Sequence, residues 1–133
     1  MYKKISLIVL GLCVFSNSVY ADRITPQLLS RINSVAPDEF ISINIIMENQ
    51  VDLLGLEELA KKNAIERRNV VISYLRTFAH EEQANLLKFS SDANKECKGI
   101  LDIKSFWIIN AINCKAIAEL IPEIAAQVGV RSL

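Results

Sequence analysis

Hydrophobic and polar residues alternate from Phe40 to Met47, and this alternation predicts a strand with one buried face. Four apolar side chains fall on the first face: Ile41, Ile43, Ile45 and Met47. Ser42 and Asn44 fall on the opposite face. The strand therefore has a core side and a solvent side.

A second apolar stretch predicts a β-hairpin between Ile100 and Ala116. Its first part, through Ile109, is rich in β-branched and aromatic residues, which favour a strand. Asn110-Ala111 interrupts the run and marks the turn. Beyond it, the apolar residues Ile112, Cys114 and Ala116 alternate with Asn113 and Lys115, which predicts a half-buried second strand.

The other periodic stretches predict helices and one last strand. Thr25 as N-cap and Pro26 at the first position begin a helix that reaches Val35. Asn63 and Glu66 have capping-box spacing and begin a long helix that ends near Phe89. The remaining predictions are a short helix over Gly55–Lys62, a polar loop over Ser90–Gly99, a helix over Ala118–Gln127 and a strand from Val130 to Leu133.

From Phe40 onwards the predicted order is strand, helix, strand, strand, helix, strand. This order indicates an α+β fold of the ferredoxin-like βαββαβ type, an antiparallel sheet with helices on one face. The domain would span 38–133, preceded by an N-terminal helical extension over 22–37.

The first 21 residues have the pattern of a signal peptide. Lys3 and Lys4 precede an apolar run over Ile5–Phe15, and Val19-Tyr20-Ala21 supplies small residues at the cleavage site. We expect an exported protein, periplasmic or extracellular, whose mature chain begins at Asp22. Leu12 stands where a lipidated Cys13 would need a small residue, which disfavours lipidation.

Charge gives no reason to expect nucleic acid or lipid as a partner. The chain has 15 basic and 15 acidic residues. Removal of Lys3 and Lys4 with the signal peptide leaves 13 basic residues against 15 acidic ones, a net charge of −2. Such a chain has no basic field to attract phosphates. We therefore expect no nucleic acid, and no membrane after signal cleavage.

The sequence lacks the residues of an active site. His80 is the single histidine and stands beside Glu81 and Glu82 in the long predicted helix, where a solvated surface position explains it. No catalytic or metal-binding motif is present, and the few glycines form no phosphate-binding loop. We expect a protein that is not an enzyme and that carries no cofactor and no metal.

The two cysteines of the predicted mature chain, Cys97 and Cys114, leave two alternatives. An oxidising compartment would permit a disulfide between them. Alternatively they are separate thiols, with Cys114 on the buried face of its strand.

One feature predicts a binding surface. In the predicted first hairpin strand, Phe106 and Ile108 point to one face, and Trp107 and Ile109 to the other. Trp107 would then join Ser42, Asn44 and Asn113 on a bare sheet face, an aromatic anchor among small polar residues. Alternatively, the helix Pro26–Val35 folds over this face and covers it.

Three stretches resemble the propeptide of subtilisin-like serine proteases, a family also found as free peptidase inhibitors. They are Ile43–Leu53, Phe106–Ile112 and the closing helix with Val128-Gly129-Val130. The long helix, with Arg67-Arg68 and Gln83, is most similar to the pro-segments of larger bacterial secreted subtilases. The resemblance covers about 38–133.

The resemblance implies a domain that docks on a subtilisin-like serine protease by its sheet, assists its folding and inhibits it. The implied contact residues are Trp107, Ser42, Asn44, Asn113 and Leu133. Residues just after the last strand enter the protease cleft in this family, and here they would lie beyond Leu133. We therefore expect sheet docking, weaker cleft inhibition and a frayed C-terminus.

Two other interpretations stay open. The chain could be a truncated remnant of a secreted subtilase precursor without activity of its own. It could also be a small envelope protein that uses the same sheet face for self-association.

Overall fold

A computed structural model describes residues 21–52, 62–95 and 99–133. The predicted signal peptide, apart from Ala21, lies outside these ranges. So do Cys97 and the predicted short helix, apart from Lys62.

The described residues form an α+β fold, as the sequence predicts. The helices are α1 (Pro26–Ser34), α2 (Ala64–Lys95) and α3 (Ile121–Ala125). The strands are β1 (Phe40–Met47), β2 (Ile100–Phe106), β3 (Ala111–Ile117) and β4 (Val130–Ser132). Short 3-10 turns precede α1 at Ala21–Arg23 and α3 at Ala118–Leu120.

The four strands form one antiparallel sheet in the order β2-β3-β1-β4. Pairing of β1 with β3 is continuous from Phe40↔Ile117 to Ile46↔Ala111. β2 adds to the other side of β3, and β4 adds to the other side of β1. β1 and β3 are therefore the interior strands, and every other strand depends on their position.

The predicted faces of β1 are confirmed. Its four core residues, Ile41, Ile43, Ile45 and Met47, are buried, whereas Ser42 and Asn44 are exposed. On β3, Ile112, Cys114 and Ala116 lie opposite these core residues and are also buried. Leu86 of α2 and Ile121 and Ile124 of α3 belong to the same core cluster. Apolar burial of this kind is the main favourable term in folding.

α1 begins as predicted and packs lightly. The Thr25 hydroxyl accepts a hydrogen bond from the Leu28 amide at 3.4 Å, which confirms the N-cap. Leu28 and Ile32 are partly buried against the core cluster, and no residue of α1 is fully buried. The helix is therefore an accessory to the core.

α2 is longer than predicted. Asn63 Oδ1 accepts from the Ile65 and Glu66 amides, so the predicted N-cap is correct. The helix runs on to Lys95 instead of ending near Phe89, because Ser90 and Ala93 continue the buried stripe that includes Leu86. The helix-disfavouring residues of this stretch are overridden by packing. Within the described ranges, no helix combines the length and apolar character that would let it cross a bilayer.

The hairpin turn lies earlier than predicted. β2 ends at Phe106, and Trp107–Asn110 form the turn. Asn110 has φ 39°, a left-handed conformation that asparagine tolerates better than most residues. The prediction of a strand through Ile109 is therefore wrong, and the faces assigned to Phe106 and Trp107 change with it.

The last helix is shorter than predicted, although its inward residues are correct. It consists of the 3-10 turn and α3, and it ends at Ala125 rather than at Gln127. Leu120, Ile121 and Ile124 are buried as expected. Gly129 has φ 84°, which permits the turn into β4.

Two glycines allow a matched test of this packing. A Cβ on Gly99 (φ 81°) would lie 2.7 Å from Ile117 Cγ2, whereas one on Gly129 (φ 84°) would meet only Met47 Cε at 3.4 Å. We expect Gly99→Ala to lower the free energy of unfolding by about 2–4 kcal/mol, through both backbone strain and overpacking. Gly129→Ala should cost about 1–2 kcal/mol through strain alone. Urea denaturation measures both, and equal losses would contradict the close contact at Gly99.

Candidate functional site

The sheet has one face turned away from the core, which we call the open face. Strand register brings its residues into rows across the sheet, such as Lys104, Asn113 and Asn44. The open face includes Leu101, Lys104 and Phe106 on β2, Ala111, Asn113 and Lys115 on β3, and Phe40, Ser42, Asn44 and Ile46 on β1. It is a mixed polar and apolar surface.

The predicted polar residues share this face. Ser42 and Asn44 are exposed, and Asn113 lies directly opposite Asn44. The Asn113 side-chain amide donates to Asn44 Oδ1 at 2.9 Å and to the Ile43 carbonyl at 3.1 Å. This cross-strand pair holds both side chains in fixed positions.

One ion pair lies beside these amides. Lys115 Nζ lies 2.7 Å from Asp102 Oδ2, and both side chains are exposed. The hydrogen bond and positive charge of Lys115 lower the pKa of Asp102, so this carboxylate stays ionised at neutral pH. Asp102 has φ 53° and lies where the β2–β3 register shifts, which makes the outer strand irregular.

The apolar part of the open face lies towards the hairpin turn. Phe106 is 46% exposed and pairs with Ala111, which in turn pairs with Ile46. In the turn itself, Ile108 and Ile109 are 67% and 55% exposed. Exposed aromatic and branched side chains grouped in this way mark contact surfaces more often than isolated apolar residues do.

A cleft of about 280 Å³ lies in this region, lined by residues of the strand end and turn, Ser105 to Ile109. Its lining is mainly apolar. A cleft of this size can receive an apolar side chain from a protein partner.

Trp107 does not occupy the predicted strand position. It belongs to the turn, is partly buried, and has the Arg76 guanidinium of α2 at 5.1 Å from its ring centroid. This is a cation–π contact. The physical reason for the difference is the early end of β2, which places Phe106 on the open face and leaves Trp107 against α2.

A buried polar network fixes the hairpin turn to α2. Gln83 is fully buried, and its amide nitrogen lies 3.0 Å from Asn110 Oδ1, to which it donates. The same nitrogen lies within 3.4 Å of the Phe106 and Ala111 carbonyls. The Ser105 hydroxyl donates to Gln83 Oε1 at 2.5 Å. A satisfied buried network of this kind makes a turn rigid.

The network also reaches the chain that leaves β1. The Asn110 side-chain amide donates to the Asn49 carbonyl at 2.7 Å, and the Asn49 amide donates to Glu82 of α2 at 2.8 Å. Gln50 donates to the Met47 and Asn110 carbonyls at 3.0 and 3.3 Å. The hairpin turn is thus held from α2 and from the end of β1.

α1 does not cover the open face. Its apolar residues Leu28 and Ile32 pack against the core cluster, and Ser42 and Asn44 on the other side of β1 stay exposed. Of the two alternatives left open by the sequence, the described residues have the one in which α1 leaves this face uncovered.

Of the two alternatives for the cysteines, the structure bears on the state of Cys114. Cys114 is a buried free thiol on the core face of β3, as in the separate-thiol alternative. Burial raises its pKa to about 11, so the sulfur is protonated and unreactive at neutral pH. Cys97 lies outside the described residues.

The prediction of a frayed C-terminus is wrong. Leu133 is 8% exposed and belongs to the core cluster. Its amide donates to the Arg23 carbonyl at 2.7 Å, and its carbonyl accepts from the Thr25 amide at 3.1 Å. A residue buried and bonded on both sides cannot offer its side chain to a partner unless these contacts open.

The described residues hold no cluster of three or more His, Cys, Asp or Glu side chains that could bind a metal ion. His80 is exposed on α2, the surface position that the sequence indicates.

Phe106 and Leu101 are among the residues of the open face that the sequence prediction does not include. Both were inside a stretch that is apolar at most positions, where periodicity does not distinguish the two faces. The polar pair Lys104 and Ser105 is the available signal. Ser105 bonds a buried side chain of α2, and side chains alternate along a strand, so its neighbour Phe106 faces outward. The partner on α2 is Gln83, which stands 22 positions before Ser105, so no local pattern indicates the contact.

No family model, curated protein or solved structure matches the chain.

The turn network gives a direct test of its role in the fold. Gln83→Leu keeps the side-chain volume and removes both the donor to Asn110 and the acceptor for Ser105. We expect a loss of about 2–4 kcal/mol in the free energy of unfolding, because buried polar groups then lack partners. Asn85 is exposed on the same helix, and Asn85→Leu should change the free energy of unfolding by no more than about 0.5 kcal/mol. Equal effects in chemical denaturation would contradict the network.

The raised pKa of Cys114 predicts a change of stability at high pH. A thiol whose pKa rises on folding contributes stability that is present below its unfolded pKa of about 8.5 and is lost as pH rises towards about 11. The unfolding free energy of the wild type, relative to that of Cys114→Ala, should therefore be constant up to about pH 8 and then fall. If the unfolding free energies of the wild type and Cys114→Ala change in parallel over about pH 7–11, this prediction is contradicted.

Proposed function

We propose that this chain is an exported, propeptide-like domain that binds a subtilisin-like serine protease through the open face of its sheet, as an inhibitor or a folding assistant. The observation that carries the proposal is the bare face itself. It presents exposed Phe106 beside a row of polar side chains, and α1, α2 and α3 leave it uncovered.

The strand and helix arrangement supports this proposal. The order strand, helix, strand, strand, helix, strand, with sheet order β2-β3-β1-β4, is compatible with the ferredoxin-like fold. That is the fold the resemblance implies. We assign the chain to it, with residues 38–133 as the domain and 22–37 as its N-terminal extension.

The composition of the open face suits a protein partner. Interfaces combine a few aromatic anchors with a polar rim that makes directional hydrogen bonds. Phe106 and Leu101 supply apolar contact area, while Asn44, Asn113 and Ser42 supply donors and acceptors. The pair Asn44–Asn113 is pre-positioned by its own hydrogen bond, which reduces the entropy lost on binding.

The aromatic anchor of the proposed interface is Phe106 rather than Trp107. Phe106 lies in the same sheet face as Asn44 and Asn113, whereas Trp107 is engaged by Arg76. Ile108 and Ile109 extend the apolar surface beyond the end of β2. In this proposal the partner contacts the open face and the hairpin turn together.

A binding role, without chemistry of its own, fits the residues that the face offers. They are amides, a hydroxyl, lysines and apolar groups, and the lysine Lys115 is paired with Asp102. The protease would supply all the chemistry of the complex.

The docking surface can be tested by inhibition. The chain, purified after expression from its full reading frame, is titrated into a subtilisin-like protease, and cleavage of a chromogenic peptide is followed. Recovery of activity by the denatured protease is measured in parallel. We expect Phe106→Asp to raise the concentration needed for either effect by about tenfold or more, since a charge would replace a central apolar anchor.

Two control variants separate the open face from other surfaces. Ile65→Asp introduces the same charge at an exposed apolar residue of α2 and should leave inhibition unchanged. Trp107→Ala should weaken inhibition less than Phe106→Asp does. A folded chain that neither inhibits nor refolds any of several such proteases would refute the proposal.

Self-association is the competing outcome. If the chain is a stable dimer in light scattering and Phe106→Asp makes it monomeric without any effect on proteases, the open face is a contact between copies. That result would replace the protease with a second copy of the chain as the partner.

A further inference from the structure

The segment Arg23–Thr25, which we call the clasp, lies beside Leu133, the residue that directly follows β4. The backbone of Leu133 bonds both outer residues of the clasp. Its amide donates to the Arg23 carbonyl at 2.7 Å, and its carbonyl accepts from the Thr25 amide at 3.1 Å. Ile24, between them, is 7% exposed and belongs to the core cluster. The clasp therefore bonds the backbone of Leu133 in the way that an added strand bonds the edge strand of a sheet.

The side chain of Arg23 holds the clasp to α3. Its guanidinium donates to the Ala125 carbonyl at 3.1 Å and to the Gln127 carbonyl at 3.3 Å. Carbonyls at a helix C-terminus lack intrahelical partners, and a cation there is favoured by the helix dipole. The clasp thus joins the end of α3 to the end of β4.

The backbone pairing of β4 with β1 is short. β4 has three residues, and its pairing with β1 consists of Ile46↔Ser132 and Met47↔Val130 with a shift of register between them. Pairing with β1 does not extend to Leu133. The clasp is the backbone partner that keeps this residue in place.

Few side chains of the clasp and of the helix after it are buried. Ile24 is the one buried side chain of the clasp, and α1 has none. Segments with few buried contacts open locally without unfolding of the whole domain. An open clasp would leave the amide and carbonyl of Leu133 without their partners.

We propose that the clasp is an autoinhibitory contact: it occupies the backbone groups of Leu133 at the end of β4, which we call the edge of β4, and its release opens that edge to an extended segment of the partner protease. Pairing with an extended segment needs the same amide and carbonyl of Leu133 that the clasp now uses. The identity of this partner rests on the function proposed above, whereas the competition at Leu133 rests on the contacts of the clasp. The edge of β4 is thus a second contact surface, separate from the open face.

A matched pair of variants, of which only one lacks a clasp hydrogen bond, isolates the effect of that bond. Thr25 has φ −61° and ψ 148°, which proline also adopts, so Thr25→Pro deletes the amide that bonds Leu133 with little backbone strain. Thr25→Ala keeps this amide. Both variants lose the hydroxyl that caps α1, so that loss cancels in the comparison.

The first readout is hydrogen exchange at the Leu133 amide in the full chain. We expect exchange about fivefold faster in Thr25→Pro than in Thr25→Ala, with the Ile45 amide in the core unchanged. Ile24→Ala, which removes the buried anchor, should act in the same direction. Equal exchange at Leu133 in all variants would overturn the proposal.

The second readout is inhibition of the protease used for the open-face variants. We expect Thr25→Pro to inhibit at about a fivefold lower concentration than Thr25→Ala, because a larger fraction of its molecules has the edge available. This change is opposite in sign to that of Phe106→Asp. Faster exchange without stronger inhibition would overturn the role of the β4 edge.

The two proposals fail in different ways. If the wild-type chain inhibits and responds to Phe106→Asp but not to release of the clasp, the open-face function stands and the β4 edge is excluded. If the wild-type chain has no effect on any protease, the proposed function fails and the autoinhibitory role is withdrawn with it. Exchange at Leu133 then shows only whether the clasp holds the chain end.

Discussion

The pairing of β1 with β3 is the constraint on which the rest of the structure depends. Its register places Ile43 opposite Cys114 and Ile45 opposite Ile112, so that one face of both strands lies in the core. Since side chains alternate along a strand, the same register places Asn44 and Asn113 together on the other face. The core and the candidate docking surface are thus two consequences of one set of backbone hydrogen bonds.

The hairpin end of the sheet combines a buried polar network with exposed apolar residues. Gln83, Ser105 and Asn110 hold the turn, and none of the buried side-chain polar atoms in the described residues lacks a partner. Ile108 and Ile109, in the same turn, are exposed. Such exposure is unfavourable in an isolated domain and becomes favourable when a partner covers it. A rigid turn keeps these side chains in position for that contact.

The two proposed contact surfaces differ in chemistry and in state. The open face would bind through side chains, and its proposed anchor Phe106 is exposed in the free chain. The edge of β4 would bind through backbone groups, and in the free chain Arg23 and Thr25 use these groups on Leu133. Binding at the first surface is a matter of complementarity, whereas binding at the second must also overcome the contacts of the clasp. In these proposals the first surface is always available, whereas the second depends on a local opening.

The sequence by itself determined the features that depend on neighbouring residues. The two faces of β1, the N-caps at Thr25 and Asn63 and the inward residues of the last helix follow from periodicity and from hydrogen bonds within one turn. Only the tertiary structure decided the early end of β2, the extension of α2 to Lys95 and the burial of Leu133. Each of these depends on residues far along the chain, namely Gln83 beneath the hairpin, the core beneath Ala93, and Arg23 and Thr25 beside Leu133. A local pattern carries no information on such partners, because only folding brings them together.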